Sequence, residues 1–123
     1  MYELEEENYK TAEKIYGKEL DKKPFGKAIK DKITPFFVVY EDNKRITNFI
    51  VYKNDDNWLA FDREIINNQK LMSFILDKLQ TKYDYLTIYL SEKDKELITK
   101  ANDYNFLKQD QKRQNYIKMR KDY

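Results

Sequence analysis

The sequence predicts an α/β fold, a mixed sheet with helices on both faces in the order α-α-β-β-β-α-β-α-β-β. Three observations lead to it. First, three runs rich in β-branched and aromatic residues, PFFVVYE, ITNFIVYK and WLAFDRE, follow one another with short polar turns between them, as in an antiparallel meander. Second, a helical pattern separates the last of these runs from the next, YLTIYLS, and a helical crossover makes a parallel pair. Third, PFFVVYE is apolar on both faces, Phe37 and Val39 on one and Phe36, Val38 and Tyr40 on the other, so both need cover.

The elements follow in order. Residues 4–20 place Tyr9, Ala12, Ile15, Tyr16 and Leu20 at helical spacing, and the acidic ELEEEN suits the positive end of that helix. Pro24 and Gly26 interrupt the pattern, and Ala28, Ile29 and Ile33 predict a short second helix. DNKR and NDDN are the turns of the meander, with Asn43 where a positive φ is often required. Asn67 or Asn68 can cap a helix running to about residue 82, with Leu71, Phe74, Ile75 and Leu79 facing inward. After YLTIYLS, Ser91 and Asp94 have capping-box spacing and start a helix to about residue 103, with Leu97, Ile98 and Ala101 inward. NFLKQ and QNYIKMRK close the chain as short strands; in the second, Ile117 and Met119 alternate with Tyr116, Lys118 and Arg120.

The 123 residues carry no internal repeat and no Pro/Gly/Ser linker, which predicts one domain over residues 1–123. Hydrophobic residues make up 41%, too many for a disordered chain. Charged residues make up 37% with both signs interspersed, and the net charge is only +2. That balance speaks against a dedicated polyanion binder, so nucleic acid is not an expected partner, and KQDQKRQNYIKMRK reads as a solvated hairpin diluted by Gln and Asp. Without cysteine there is no disulfide or thiolate chemistry; without histidine the commonest general base and metal ligand are missing. Catalysis would rest on carboxylates, Tyr, Lys, Ser, Thr, backbone groups or water. No metal site is expected, because NDD at 54–56 is too short to suggest one. MYELEEENYK lacks the apolar core of a signal peptide and no apolar run reaches membrane-spanning length, so a cytoplasmic protein is expected.

The segment YLTIYLSEKDKELITKANDYNFLKQD and the closing NYIKMRK resemble the fifth strand, fourth helix and final hairpin of the GNAT superfamily of acyl-CoA-dependent N-acetyltransferases. In that pattern a strand is followed by an Asn, an apolar helix carrying a Tyr, and Gly-Phe opening the next strand. Here Asp94 stands at the Asn position, Ala101 at the Tyr position, and Asn105 and Phe106 stand for Gly-Phe. Upstream, VVYEDNKRITNFIVY is similar to the family's glycine-containing hairpin, with Asn43 and Asn48 at the two glycine positions. The resemblance covers about residues 35–121. Asn is the non-glycine residue that best tolerates left-handed backbone, so the turns at Asn43 and Asn105 can persist without glycine.

The resemblance implies a GNAT-like domain and an acetyl-CoA site. In the family a splayed fourth strand pairs with the pantetheine arm, and glycines beyond it let backbone amides at a helix N-terminus approach the pyrophosphate. Carried over, the cofactor-binding residues are Phe61, Asp62, Asn67, Asn68, Gln69, Lys70, Leu71 and Met72, with Lys70 as an added charge and side chains where glycines are usual. Acetyl transfer to an amine also needs a base and a proton donor for the leaving thiolate. Glu64, with Asp62 beside it, stands nearest the family's base; Tyr104, three residues after Ala101, falls near the same helix face and could deliver a hydroxyl. Each has a plainer reading. The carboxylates suit a solvated strand end, Tyr104 suits core beside Phe106, and Trp58 and Phe61 either line an acyl slot or fill the core. Two functions follow: a divergent N-acetyltransferase acting on a small-molecule or protein amine, or a catalytically inactive GNAT-like module that binds a protein partner as regulator or inhibitor. The oligomeric state is left open, with a homodimer among the alternatives.

Overall fold

The computed structural model describes residues 1–23, 26–31 and 34–123; Pro24 and Ile33, which helped to define the second helix, lie outside them. In chain order the elements are β1 (Tyr2–Glu7), α1 (Tyr9–Tyr16), α2 (Gly26–Lys30), β2 (Phe36–Glu41), β3 (Lys44–Tyr52), β4 (Trp58–Ala60), α3 (Gln69–Leu79), β5 (Tyr85–Ser91), α4 (Lys95–Asp103), β6 (Leu107–Arg113) and β7 (Tyr116–Asp122), with 3-10 helices at Gly17–Lys22 and Arg63–Asn67. The strands form one seven-stranded sheet in the order β1-β2-β3-β4-β5-β7-β6. All neighbours are antiparallel except β4 and β5. No helix among the described residues is long and apolar enough to cross a membrane.

The start of the chain differs from the helix expected over residues 4–20. Residues 2–7 are a strand, paired antiparallel with β2 so that Leu4 faces Val39 and Glu6 faces Phe37. Tyr2 and Leu4 alternate with Glu3 and Glu5, a period of two that the acidic run disguised. Tyr2 packs on Phe74 with ring centroids 5.4 Å apart, which fastens this edge to α3. The helix begins only at Tyr9, where the Asn8 carboxamide oxygen accepts the Thr11 N–H at 3.2 Å, and Gly17 at φ 60° ends it.

The other elements stand where the sequence puts them, with four shifts, two of them in strands: β4 keeps only Trp58–Ala60 of WLAFDRE, whose Arg63 and Glu64 enter a 3-10 helix, and β6 covers Leu107–Arg113 rather than NFLKQ. α3 ends at Leu79 rather than near residue 82. α4 is capped by Asp94, which accepts the Leu97 N–H at 3.2 Å, and not by a Ser91–Asp94 capping box. Ser91 is still in β5, opposite Tyr116, and cannot also leave the sheet as a cap. The two-residue turn between β2 and β3 uses left-handed backbone at Asp42 and Asn43 (φ 52° and 69°), as tight hairpin chemistry requires, and the longer turn over residues 53–57 is left-handed at Asp56 and Asn57 (φ 54° and 52°). Asn105 is left-handed too, at φ 71°.

Both sheet faces are covered, but unequally. One face presents Phe37, Phe49, Val51, Leu59, Leu86, Ile88, Ile117 and Met119 to α3 and α4 in a single core. The opposite face packs Phe36, Val38 and Ile50 against Ala12, Leu20 and Ile29. That second core stops at β3. Further along, the register puts Tyr52, Trp58, Tyr85 and Tyr89 on the same face. There the Arg113 guanidinium lies 4.5 Å from the Tyr89 ring and 5.5 Å from Trp58, and both its terminal nitrogens donate to Asp55 at 3.1 Å. Arg120 lies 3.9 Å over Tyr85. Lys118, 8% exposed, pairs with Asp56 and holds its carboxyl below the usual range. Flat guanidinium groups and lysine stems therefore shield aromatic surface that helices leave bare.

Tyr83, just after α3, gives a test of packing. Burial, helped by the charge of Glu6, pushes its hydroxyl up to about 12. In the unfolded chain it ionises near 10. The unfolded state therefore releases the proton first, and stability present below pH 10 is lost as pH rises toward about 12. Denaturant midpoints at about pH 9 and about pH 11 should show a smaller drop for Tyr83→Phe than for the wild type. Equal drops would place Tyr83 in a solvated setting.

Candidate functional site

β4 is three residues long, and its pairing with β5 is limited to Trp58 opposite Thr87. On one side of that rung the strands are clamped. The Thr87 N–H donates to the Asn57 carbonyl at 3.2 Å, its hydroxyl to the Asp56 carbonyl at 3.0 Å, and the Asn57 amide to the Tyr85 carbonyl at 2.9 Å. On the other side they part. Leu59 and Ala60 pair only with β3, while β5 runs on to Ser91 beside β7. The sheet is thus open between the carboxyl ends of two parallel strands, the position at which α/β sheets hold ligands.

The chain leaves this opening through a capped turn. The Asp62 carboxylate accepts the Glu64 N–H at 3.1 Å and starts the 3-10 helix Arg63–Asn67, which buries Ile65 and Ile66. Asn68 then serves two helices. Its N–H donates to the Ile65 carbonyl at 2.9 Å, its side chain accepts the Leu71 N–H at 3.1 Å, and its carbonyl accepts the Met72 N–H at 2.9 Å. In the first turn of α3 this leaves the Gln69 and Lys70 amides as the donors that no intrahelical carbonyl can reach. Lys70 is exposed at this positive helix end.

α4 reaches across to the same turn. The Tyr104 hydroxyl donates to the Ile66 carbonyl at 3.3 Å, the long end of the range, and Lys100 Nζ donates to Asn67 Oδ1 at 2.6 Å. Between them lies a cavity of about 370 Å³ lined by Ile66, Asn67, Gln69, Ser73, Lys100, Asp103 and Tyr104. Burial raises the Tyr104 hydroxyl above the ordinary tyrosine value, and the charge of Asp103 adds to the effect. A second cavity, of about 480 Å³, adjoins the end of β4 and is lined by Tyr16, Arg45, Asn48, Ala60, Phe61, Asp62 and neighbouring β3 residues. There Arg45 Nη1 donates to Asn48 Oδ1 at 3.1 Å and Asn48 Nδ2 donates to the Tyr16 hydroxyl at 2.6 Å.

The residues singled out from the sequence divide accordingly. Asn67, Gln69 and Tyr104 meet at the first cavity; Phe61 and Asp62 meet at the second. Glu64 is exposed and lines neither. Leu71 and Met72 point into the core, and their amides are held by Asn68. Trp58 stacks on Tyr52 at 4.9 Å and meets Tyr89 edge-on at 5.3 Å. Sequence reasoning missed Tyr16, Arg45 and Lys100. Asn48, standing where the resemblance has glycine, was the available signal for a polar group beside the opening. Among the described residues no cluster of His, Cys, Asp and Glu could hold a metal ion.

Seven strands in this order, opened between β4 and β5 with a helix starting at the opening, are the fold of the GNAT N-acetyltransferases. An N-acetyltransferase from Staphylococcus aureus superposes with TM-score 0.60 at 17% identity, over 99% of this chain and 97% of that one. An IAA acetyltransferase from Bacillus cereus superposes with TM-score 0.65 at 7% identity, over 100% of both chains. A GNAT family acetyltransferase from Elizabethkingia anophelis with acetyl-CoA bound gives 0.58 at 13% identity, over 99% of this chain and 98% of that one. No protein-family model matches the chain, and no curated protein matches it by sequence. At these identities the shared property is the fold.

Proposed function

We propose that the protein is a divergent acyl-CoA-dependent N-acetyltransferase. The observation that carries this reading is the opening between β4 and β5, followed at once by the N-terminus of α3. Acetyl-CoA bound to the E. anophelis neighbour, at a TM-score of 0.58, lends support. The residues present fit such a group. The free edge of β4 at Leu59 and Ala60 offers backbone partners to an extended amide chain. The Gln69 and Lys70 amides, with the ammonium groups of Lys70 and Lys100, supply positive charge for a diphosphate where glycines are absent. Lys100 exchanges Asn67 for a phosphate oxygen; Asn67 and Gln69 line that cavity, and Phe61 lines the one at the end of β4. Asn68, Leu71 and Met72 act through the backbone, fixing the helix end.

Bound there, acetyl-CoA supplies a thioester carbonyl carbon, which an amine nitrogen attacks so that a C–N bond forms and the C–S bond breaks. Asp62, which lines the cavity next to the opening, takes the amine proton directly or through water, with Glu64 as the exposed carboxylate to which it passes. Tyr104 stays protonated because burial raises its hydroxyl, and it donates to the leaving sulfur.

Thermal unfolding with and without acetyl-CoA tests the reading. A ligand at 100 times its Kd adds about 2.7 kcal/mol. The wild type should show that stabilisation, and Lys100→Glu should lose most of it. A wild type indifferent to acetyl-CoA would leave the inactive, partner-binding module as the better account.

A further inference from the structure

We infer that the acceptor is a primary amine that also bears a carboxylate, an amino acid rather than a polyamine or a simple amine. This rests on the acetyltransferase reading and names the substrate class of that same site. The cavity of about 480 Å³ at the end of β4 is lined by one carboxylate, Asp62, and one guanidinium, Arg45. Ion pairs form at Arg113 with Asp55, Lys118 with Asp56 and Lys112 with Glu92. Arg45 and Asp62 border one cavity, yet no ion pair joins them among the described residues.

The strand register relates the two segments. Ala60 pairs with Ile50, so the stretch after Ala60 runs past Asn48. Arg45 reaches along β3 to bond Asn48 Oδ1 at 3.1 Å, and both residues line the cavity that Asp62 also lines. Asn48 is the positioning residue: one end of its amide holds Arg45, the other donates to the Tyr16 hydroxyl at 2.6 Å. Two separated, opposite charges on one small cavity match a zwitterion. The guanidinium fork takes a carboxylate and the Asp62 carboxylate takes the ammonium. A polyamine finds one carboxylate here and a repelling guanidinium. Asp62 lies two residues beyond Ala60, where β4 ends without a β5 partner, which puts the amine it holds at the end of the strand that borders the opening. On transfer the bound ammonium loses two protons, one through Asp62 to solvent before attack and one that is balanced by the proton the leaving sulfur gains; the nitrogen gains the acetyl group, and the carboxylate is unchanged.

The experiment measures acetyl-CoA-dependent thiol release with a panel of protein amino acids, with spermidine, and with three matched pairs: leucine and 3-methylbutylamine, phenylalanine and phenethylamine, serine and ethanolamine. At least one amino acid should be acetylated with kcat/KM about tenfold to hundredfold above its decarboxylated partner, the worth of one charge-assisted hydrogen bond. Arg45→Ala should abolish that ratio by raising KM for the amino acid. Asn48→Gly should weaken the ratio without abolishing turnover, and Lys44→Ala, on the same strand outside the cavity, should keep it. Preference for the bare amines or spermidine, or a ratio unmoved by Arg45→Ala, overturns the inference. So does acetyl-CoA binding without acetylation of any amino acid, which leaves the acetyltransferase reading standing. Failure to bind acetyl-CoA overturns both.

Discussion

Phe37→Ala should cost about 3–5 kcal/mol, a large share of the roughly 5–15 kcal/mol that holds a domain of this size together. Phe37 has no exposed surface and lies in β2 between Glu6 of β1 and Phe49 of β3. Its ring stacks on Phe49 with centroids 5.2 Å apart, and both belong to the core beneath α3. Removing the ring leaves a hole walled by strands on either side, which hydrogen bonding keeps from closing. The melting temperature should fall by about 10 °C or more. Phe74→Ala should cost far less, because Phe74 is only half-buried and packs on the edge residue Tyr2. Similar costs at the two sites would mean that the face under α3 is loosely packed.

Tyr104→Phe should lower kcat by about a hundredfold to a thousandfold while acetyl-CoA still stabilises the fold. The hydroxyl makes one long bond to the Ile66 carbonyl, so its removal should cost only about 1 kcal/mol of stability. Burial, then Asp103, raises its pKa, so the donor form persists up to and beyond pH 10. Any alkaline loss of turnover due to this group should accordingly begin above the ordinary tyrosine range. Unchanged kcat in Tyr104→Phe would remove Tyr104 from the reaction and reduce it to the strut between α4 and the 3-10 helix that it already forms.

The meander, α3, β5, α4 and the closing hairpin were legible because each carries its own local signal. Asn43 and Asn105 kept left-handed turns that glycine would otherwise supply, and β-branched runs marked the strands. β1 was hidden because four glutamates lie among its six residues. Its pairing partner, Phe36–Glu41, lies some 30 residues on, and charge at the start of a chain imitates a helix terminus. The neighbourhood of the first cavity was partly visible: Asn67, Gln69 and Tyr104 line it, and Lys70 follows Gln69 in the first turn of α3. Lys100 was not, because a lysine on a helix announces no partner. The Arg45–Asn48–Tyr16 chain joins a strand to α1, and only tertiary packing makes that neighbourhood.

The single Trp58–Thr87 rung divides the sheet's ladder into a leaf of four strands and a leaf of three. Within each leaf, tilting is resisted by rows of backbone bonds; between them it is resisted by the clamp at Thr87 and by side chains, chiefly those of α3, α4 and the Tyr104 and Lys100 struts. The halves can therefore rock about one hinge point while every other strand pairing stays intact. A molecule lying along the gap would stand in for the missing rungs and splint the two leaves into one rigid plate.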